Sequence, residues 1–208
     1  MAIRAGLIFG IVFIAAGIAV AQFPPPLEPG ILKALNQLRA DPSGYAVILK
    51  QRREYYNGYF LEIPGHAYVR TQEGVRPLDE ALAALQSIRA GIGLVALSEG
   101  LSRAATDHVL DTGRRGLVGH TGADGSDPRQ RMARHGAWSG AVGEVISYGQ
   151  NEAREIIEQL LIDDGVANRG HRKSLLDPRW RYAGIACGFH GRYGTMCVMD
   201  LASSYQAR

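Results

Sequence analysis

The sequence predicts a mixed α/β sandwich in a single domain, and not a doubly wound nucleotide-binding fold. Several stretches with the apolar spacing of helices come first, and the few strand-like stretches come late in the chain. No G-x-G-x-x-G follows a strand, and no phosphate loop occurs. Residues 31–208 show no internal repeat and no linker, so we expect them to form one domain.

The first 21 residues are predicted to be a secretory signal peptide. Arg4 precedes an uncharged apolar run from Ala5 to Ala21, which ends in the cleavage pattern Ala19-Val20-Ala21. The alternative is an uncleaved membrane anchor, because the run is at the short limit of the about 17–25 apolar residues that a span needs. The Ala-x-Ala end favours cleavage. We therefore expect a secreted or periplasmic protein with a Pro-rich lead at 22–30 and its domain at 31–208.

The charge of the chain does not indicate a nucleic-acid partner. The formal net charge is +3 and falls to +2 when Arg4 leaves with the leader. The sequence has no Lys/Arg block of the kind that would favour nucleic-acid binding. A membrane is an expected partner only if the leader is not cleaved.

Apolar periodicity and capping residues predict six helices. Asp41 before Pro42 and Asp127 before Pro128 are typical of helix starts, and Ser98 and Asn151 are further N-cap candidates. The region 57–74 has no steady period and is predicted to be a loop with at most a short strand. The predicted helices begin near Ile31 and at Pro42, and cover 77–91, 98–113, 127–136 and 151–165.

The C-terminal part predicts strands at 141–147, 182–189 and 195–202. In a hairpin centred on Arg192, residues that are equally far from Arg192 in sequence face each other. Cys187 and Cys197 are equally far from it, so they are expected to lie opposite each other. Directly opposed residues are close enough for a disulfide, which is the first expectation in an exported protein. The alternative is a pair of buried free thiols. Two cysteines alone are too few for a metal site.

Five polar residues are the candidates for a functional site. His120 lies in a glycine-flanked loop, and Glu144 follows a glycine at the start of a predicted strand. Asp163 and Asp164 lie on the predicted last turn of a helix, where the helix dipole disfavours acids and a partner is needed. His171, in a predicted loop just beyond, can provide that partner.

Two histidines with one or two carboxylates can bind zinc or another divalent cation, with His120 and His171 as the metal ligands. The alternative is that each imidazole is a structural residue. Arg169 and Arg172 are expected to pair with acids. The other histidines are interpreted as structural or surface residues: His66, His108, His135 and His190.

Several motifs together resemble the CAP superfamily, also called the SCP domain, which includes cysteine-rich secretory proteins, antigen 5 and plant pathogenesis-related proteins. The motifs are "GHTGADGS", "RMARHG", "GEVIS" and "NRGHRKSLLDPRWRYAGIACG", and the resemblance covers about Ile31 to Tyr205, closest to secreted bacterial members. It implies an α+β fold, an α-β-α sandwich with a small antiparallel sheet flanked by helices.

The resemblance also implies a central cleft that gathers two histidines and two acids. His120, Glu144 and His171 match three of the four family positions. The helix before His171 departs from the family pattern, since it lacks a tryptophan and has aspartates where a glutamate is usual. Asp163 or Asp164 is the expected substitute.

The resemblance favours a binding protein over an enzyme. The implied ligand of the cleft is a small lipid, glycan or peptide, with zinc or another divalent cation as an accompanying group. The alternative is a metal-assisted hydrolase of peptide, ester or cell-wall substrates with Glu144 as general base. Ser126 lies near His120 in sequence, but no G-x-S-x-G motif supports a serine nucleophile. A third interpretation is that the site only connects loops to the sheet.

Overall fold

The computed structural model describes residues 26–208. The predicted signal peptide and residues 22–25 of the Pro-rich lead lie outside the described residues. No helix within 26–208 has both the length and the apolar character required to cross a bilayer.

The described residues form helices on both sides of a four-stranded sheet, with a second, smaller sheet. The helices are α1 Leu27–Ala40, α2 Pro42–Gln51, α3 Arg76–Ser87, α4 Glu99–Thr112, α5 Pro128–His135, α6 Ala153–Ile162 and α7 Gly170–Leu175, and a 3₁₀ turn covers Arg52–Tyr55. The strands are β1 Tyr56–Asn57, β2 Phe60–Leu61, β3 Val69–Arg70, β4 Ala96–Leu97, β5 Gly136–Tyr148, β6 Tyr182–His190 and β7 Gly194–Ala207.

The larger sheet has the strand order β4-β6-β7-β5 and is antiparallel except for the β4–β6 pair. Alternate residues of β7 face opposite layers, as the two-residue period of a strand requires. Met199 and Leu201 pack with the apolar faces of α1 and α6, whereas Val198 packs with Ala105 and Val109 of α4. The α+β sandwich predicted from the sequence is therefore confirmed.

Side-chain caps define several helix starts. The Asp41 carboxylate accepts a hydrogen bond from the Gly44 amide at 2.8 Å, and Asp127 forms a reciprocal capping box with Gln130. Ser98 caps α4 through a longer contact of 3.5 Å to the amide of Leu101. These three predicted caps are confirmed.

Several helix boundaries differ from the prediction. Helix α1 begins at Leu27, within the predicted Pro-rich lead, since Pro26 is compatible with a helix start. Helix α6 begins at Ala153 with Glu152 at its N-cap position, so the prediction that Asn151 caps it is wrong. The same helix ends at Ile162, because Asp163 adopts a left-handed conformation with φ 61°.

The strand predictions are correct in position and too short in length. Strand β5 extends N-terminally from the predicted 141–147 to Gly136, and pairs with β7 through a register shift between Ser139 and Val142. The first half of β5 is largely solvent-exposed, so it lacks the apolar alternation that identifies a strand in the sequence. The two-residue strands β1, β2 and β3 occupy the region predicted to be a loop.

The predicted disulfide is confirmed. Cys187 in β6 lies opposite Cys197 in β7, with their Cα atoms 4.1 Å apart and their sulfurs bonded. The bond closes a sequence separation of 10 residues and joins the two central strands of the larger sheet.

Replacing both cysteines by alanine is expected to lower the free energy of unfolding by about 2–3 kcal/mol, because the cross-link restricts the unfolded chain over a short loop. Denaturant unfolding measures the change. Reduction of the wild-type protein is the control and is expected to reproduce the loss, while the double variant does not respond to reductant. A wild-type stability that is unchanged on reduction would contradict the prediction.

Candidate functional site

The first histidine of the site forms a pair with a carboxylate. His120 Nδ1 lies 2.8 Å from Glu144 Oε1. The His120 side chain is 49% exposed, whereas that of Glu144 is 1% exposed. Because Nδ1 faces the carboxylate, Nε2 is the ring nitrogen left to interact with a ligand. The structure therefore brings together two residues that are separated by a helix and a loop in sequence.

A buried arginine holds the other side of this carboxylate. Arg131 of α5 donates from Nη2 to Glu144 Oε2 at 2.6 Å and to the His120 carbonyl at 3.0 Å. Burial raises the pKa of Glu144, but the His120 hydrogen bond and the Arg131 charge outweigh it and hold the pKa below its ordinary value. Glu144 is thus an ionised carboxylate with both oxygens engaged. Arg131 was not predicted to be a site residue, although it lies in the motif "RMARHG".

The loop that carries His120 is fixed at Gly119. His108 of α4 is buried, and its Nε2 donates to the Gly119 carbonyl at 2.9 Å. Tyr148 of β5 accepts from the Gly119 amide through its hydroxyl at 3.0 Å. Gly119 has a φ of 99°, a conformation that residues with a side chain rarely adopt. The backbone before His120 therefore requires a glycine. His108 is a structural residue, as predicted.

The second histidine forms a similar pair with Asp163. His171 Nδ1 lies 2.6 Å from Asp163 Oδ1, and Asp163 Oδ2 accepts from the backbone amides of His171 at 2.9 Å and Arg172 at 3.2 Å. The Asp163 side chain is 1% exposed and that of His171 is 26% exposed. His171 lies in helix α7 and not in a loop as predicted, because the chain resumes helical geometry at Gly170.

Asp164 makes different contacts from Asp163. Its carboxylate accepts from the backbone amides of Gln72 at 2.7 Å and Glu73 at 2.9 Å, before helix α3. The two aspartates point apart because Asp163 has left-handed backbone geometry immediately after α6. Asp163 is therefore the acid that contacts the second histidine, and Asp164 connects the loop after α6 to the loop before α3.

The arginines beside His171 pair with acids, as predicted. Arg169 donates to Glu73 at 2.6 Å and to Glu80 at 2.7 Å. Arg172 lies within 3.5 Å of Glu80 and donates to the carbonyls of Leu161 and Ile162 at 2.7 Å. These carbonyls are among those that a helix end leaves without partners. The network fixes α7, and with it His171, against α3 and α6.

One carboxylate of this network makes stability depend on pH. The hydrogen bonds from Arg169 and the Gly165 amide lower the pKa of Glu73 from 4.5 to about 2. A lowered pKa in the folded state means that the contribution is fully present above about pH 4.5 and is lost as the pH falls towards 2.

The variant Glu73→Gln is expected to lack the stabilisation that the Glu73 carboxylate provides. The difference in free energy of unfolding between the wild type and the variant is therefore expected to narrow as the pH falls from 4.5 to 2. Unfolding midpoints measured across this range test the expectation. Glu54→Gln is the control, because Glu54 is exposed and has no ion pair within residues 26–208. A difference in free energy of unfolding between the wild type and Glu73→Gln that stays constant with pH would contradict the prediction.

A cavity of about 510 Å³ lies beside the second pair. His171, Asp163 and Asp164 provide polar groups in its wall. The other lining residues include apolar and aromatic side chains from β1–β3, β5, α6, the loop after α6 and the β6–β7 turn: Tyr56, Leu61, Val69, Ile146, Tyr148, Leu160, Ile162, Val166 and Tyr193. The remaining ones are polar: Arg52, Thr71, Gln72, Gln150 and Gln159.

The first pair lies next to this cavity and not in its wall. His120 and Glu144 are not among the lining residues, but Ile146 and Tyr148 are, and they follow Glu144 on the same face of β5. Two residues of a strand span about 7 Å. Tyr148 connects the two regions, since it lines the cavity and its hydroxyl holds the loop of His120.

The two histidines are not part of a metal-binding cluster within the described residues. Within residues 26–208, no three His, Cys, Asp or Glu side chains come together as they would around a metal. Each of the two histidines has its Nδ1 held by a carboxylate and its Nε2 directed away from it, which is the orientation common in metal-ligating histidines. The described residues thus do not gather the three protein donors of a zinc site.

Comparisons with known proteins identify the family. The sequence model of the cysteine-rich secretory protein family, CAP, matches residues 32–201. An outer surface protein from Borrelia burgdorferi is a similar solved structure, with 16% identity and a TM-score of 0.44 over 52% of this chain and 76% of that one. An extracellular protein containing an SCP domain from Bacillus anthracis str. Ames has 18% identity and a TM-score of 0.42, over 53% of this chain and 34% of that one.

No curated protein sequence matches the chain. The family match spans most of the sequence and includes both histidine–carboxylate pairs. The fold described above is consistent with it. The chain therefore belongs to the CAP family of cysteine-rich secretory proteins.

Proposed function

We propose that this CAP domain binds a small ligand with an apolar body and a polar group, and that it acts in a secreted or periplasmic location. The observation that carries the proposal is the cavity of about 510 Å³, whose wall combines aliphatic and aromatic side chains with polar groups that include the His171–Asp163 pair. Ligand sites in proteins typically have about 300–1,000 Å³, largely apolar walls and a few placed polar groups.

The lining favours a lipid-like amphiphile among the ligand classes that the resemblance implies. Leu61, Val69 and Ile162 provide aliphatic surface that stabilises a hydrocarbon chain. Polar side chains also line the cavity, namely Arg52, Thr71, Gln72, Gln150 and Gln159, so the aliphatic surface is the feature that favours an amphiphile over a glycan. His171 Nε2 is placed to donate to, or accept from, the polar group of the ligand.

Two features support the location. The Cys187–Cys197 disulfide is typical of oxidising compartments. The leader with its Ala19-Val20-Ala21 end is typical of exported proteins.

The hydrolase alternative is favoured by one observation, namely two carboxylate-oriented imidazoles on neighbouring elements. In that case His120 Nε2 is the proton acceptor and Glu144 orients the ring, because both oxygens of Glu144 are engaged and its side chain is covered. Turnover of a peptide, ester or cell-wall substrate that is lost in His120→Ala would support this alternative, and turnover that survives would exclude it.

Zinc or another divalent cation at His120 and His171 stays a prediction from the sequence. No step of the binding proposal depends on it. Native mass spectrometry of protein purified from its exported fraction tests the cation directly, and retention of a cation that is lost in the His120→Ala, His171→Ala double variant would support it.

The binding proposal is tested with cis-parinarate, a fluorescent fatty acid, and two variants of exposed valines. Val69 lines the cavity and is 52% exposed, while Val47 of α2 is 67% exposed and does not line it. Val69→Glu is expected to weaken binding at least about tenfold, because it places a carboxylate against the hydrocarbon chain. Val47→Glu is the matched control and is expected to leave the affinity unchanged.

Equal effects of the two substitutions would contradict a site in this cavity. Saturable binding of chitin oligosaccharides without binding of parinarate would contradict the lipid-like ligand class while leaving a cavity site in place.

A further inference from the structure

A second carboxyl group lies directly behind the first histidine pair. Asp200 of β7 is paired with Glu144 of β5 and with Gly184 of β6, so it lies in the middle of the sheet. Glu144 and Asp200 face the α4 layer, as do their even-numbered neighbours Ile146 and Val198. Directly opposed side chains on one face of an antiparallel pair have Cβ atoms about 4.5–5.5 Å apart.

Water does not reach Asp200, which is 0% exposed. The glycine at 184 contributes to this, because a Cβ there would lie 2.1 Å from the backbone of Leu101. Helix α4 therefore passes close over the sheet beside Asp200 and covers it. Within residues 26–208, neither carboxyl oxygen of Asp200 makes a hydrogen bond that would compensate a charge.

The charged groups around Asp200 do not favour a second anion. Glu144 of β5 is already ionised, and Asp107 of α4 adds negative charge. Arg131 of α5 is the nearby cation, but its Nη atoms donate to Glu144 and to the carbonyls of Ser126 and His120. The imidazole of His108, on the same helix as Asp107, is also buried, and burial lowers its pKa despite the bond to Gly119.

A buried carboxylate without a partner costs several kcal/mol, and when two carboxylates share one site the pKa of one of them is strongly raised. Burial, followed by the charge of Glu144, raises the pKa of Asp200 well above its ordinary value, and Arg131 only partly opposes this. The geometry and the electrostatics therefore agree on a neutral Asp200.

We propose that Asp200 is a positioning residue for His120, as a neutral carboxylic acid whose O–H is directed at the Glu144 carboxylate. Three donors, from His120, Arg131 and Asp200, then surround one carboxylate and restrict its rotation. The orientation of the His120 ring depends on that carboxylate. This inference concerns the first pair and does not depend on what the neighbouring cavity binds.

Infrared spectroscopy of wild-type protein labelled with carboxyl-¹³C aspartate tests the protonation. A protonated-acid carbonyl band with the isotope shift is expected at neutral pH, and it is expected to disappear in Asp200→Asn. Asp79→Asn is the control, because Asp79 is 44% exposed and paired with Arg53, and it is expected to leave the band unchanged. Absence of the shifted band in the wild type would overturn the proposal. This result does not depend on whether any variant folds.

The proton NMR resonance of His120 Nδ1–H tests the positioning. A hydrogen bond to a carboxylate moves this resonance downfield, and we expect it to stay there in Asp200→Asn, whose amide can donate in place of the acid. In Asp200→Leu, which has no donor, we expect the resonance to move upfield or to broaden. An unaltered resonance in a folded Asp200→Leu protein would show that Asp200 does not position His120 and would overturn the proposal.

Discussion

Replacing Glu144 with alanine is expected to lower the free energy of unfolding by up to about 3–5 kcal/mol, because it removes the carboxylate that the buried guanidinium of Arg131 contacts and leaves the buried Asp200 as the nearby acid. The Arg131 side chain is 2% exposed and relies on Glu144 for its carboxylate contact. The loss also releases the ring of His120, whose Nδ1 then has no carboxylate partner. Denaturant unfolding of the purified variant measures the change.

The matched control removes the exposed partner of the same carboxylate. His120→Ala is expected to cost no more than about 1 kcal/mol, since a half-exposed charge contact contributes little. The comparison of the two variants separates the contribution of the Glu144–Arg131 contact to the free energy of unfolding from that of the Glu144–His120 contact. Equal losses in the two variants would contradict the conclusion that Arg131, and not His120, dominates the stability of this pair.

Replacing Asp163 with alanine is expected to destabilise the protein by about 2–4 kcal/mol. The change removes the acceptor of two backbone amides, those of His171 and Arg172, and leaves alanine in a left-handed conformation. Asp163→Asn is expected to cost less, because asparagine tolerates the left-handed conformation and its side-chain oxygen can still accept.

Asp164→Ala is the neighbouring control, with an expected loss of about 1 kcal/mol, because its carboxylate is a partly exposed acceptor for the amides of Gln72 and Glu73. Thermal and denaturant unfolding of the three variants compares them directly. A larger loss for Asp164→Ala than for Asp163→Ala would contradict the assignment of Asp163 as the acid of the second pair.

The predictions that were confirmed depend on local rules. A hairpin register follows from strand alternation and a turn, so Cys187 and Cys197 could be paired from the sequence. An aspartate or serine before a helix can cap it through a bond between its side chain and a backbone amide three residues on, which is a local contact, and Asp41, Ser98 and Asp127 were identified in this way.

The choice between Asp163 and Asp164 could not be predicted, because it depends on one backbone angle. Both residues follow α6, and a left-handed φ at Asp163 directs one carboxylate to His171 and leaves the other to cap the chain before α3. Aspartate accepts this conformation more readily than most residues do, but the sequence does not show which of two aspartates adopts it.

Arg131 and Asp200 were missed for a different reason. Each is charged in isolation, and a charged residue is normally assigned to the surface when only the sequence is known. Their burial follows from tertiary pairing, since β7 lies between β5 and β6 and α4 packs across Gly184. The cavity was missed likewise, because its wall includes the short strands of a region that has no periodicity.

The measurement that tests the central claim most directly is a methyl NMR titration of the isoleucine-, leucine- and valine-labelled protein with palmitate. The account predicts saturable shifts for Ile146, Leu160 and Ile162, accompanied by the ring signals of His171, while Val47 and Ile48 on α2 do not move. Shifts confined to exposed methyls such as those of Val47 and Ile48, or no saturable shift at any lining residue, would contradict it.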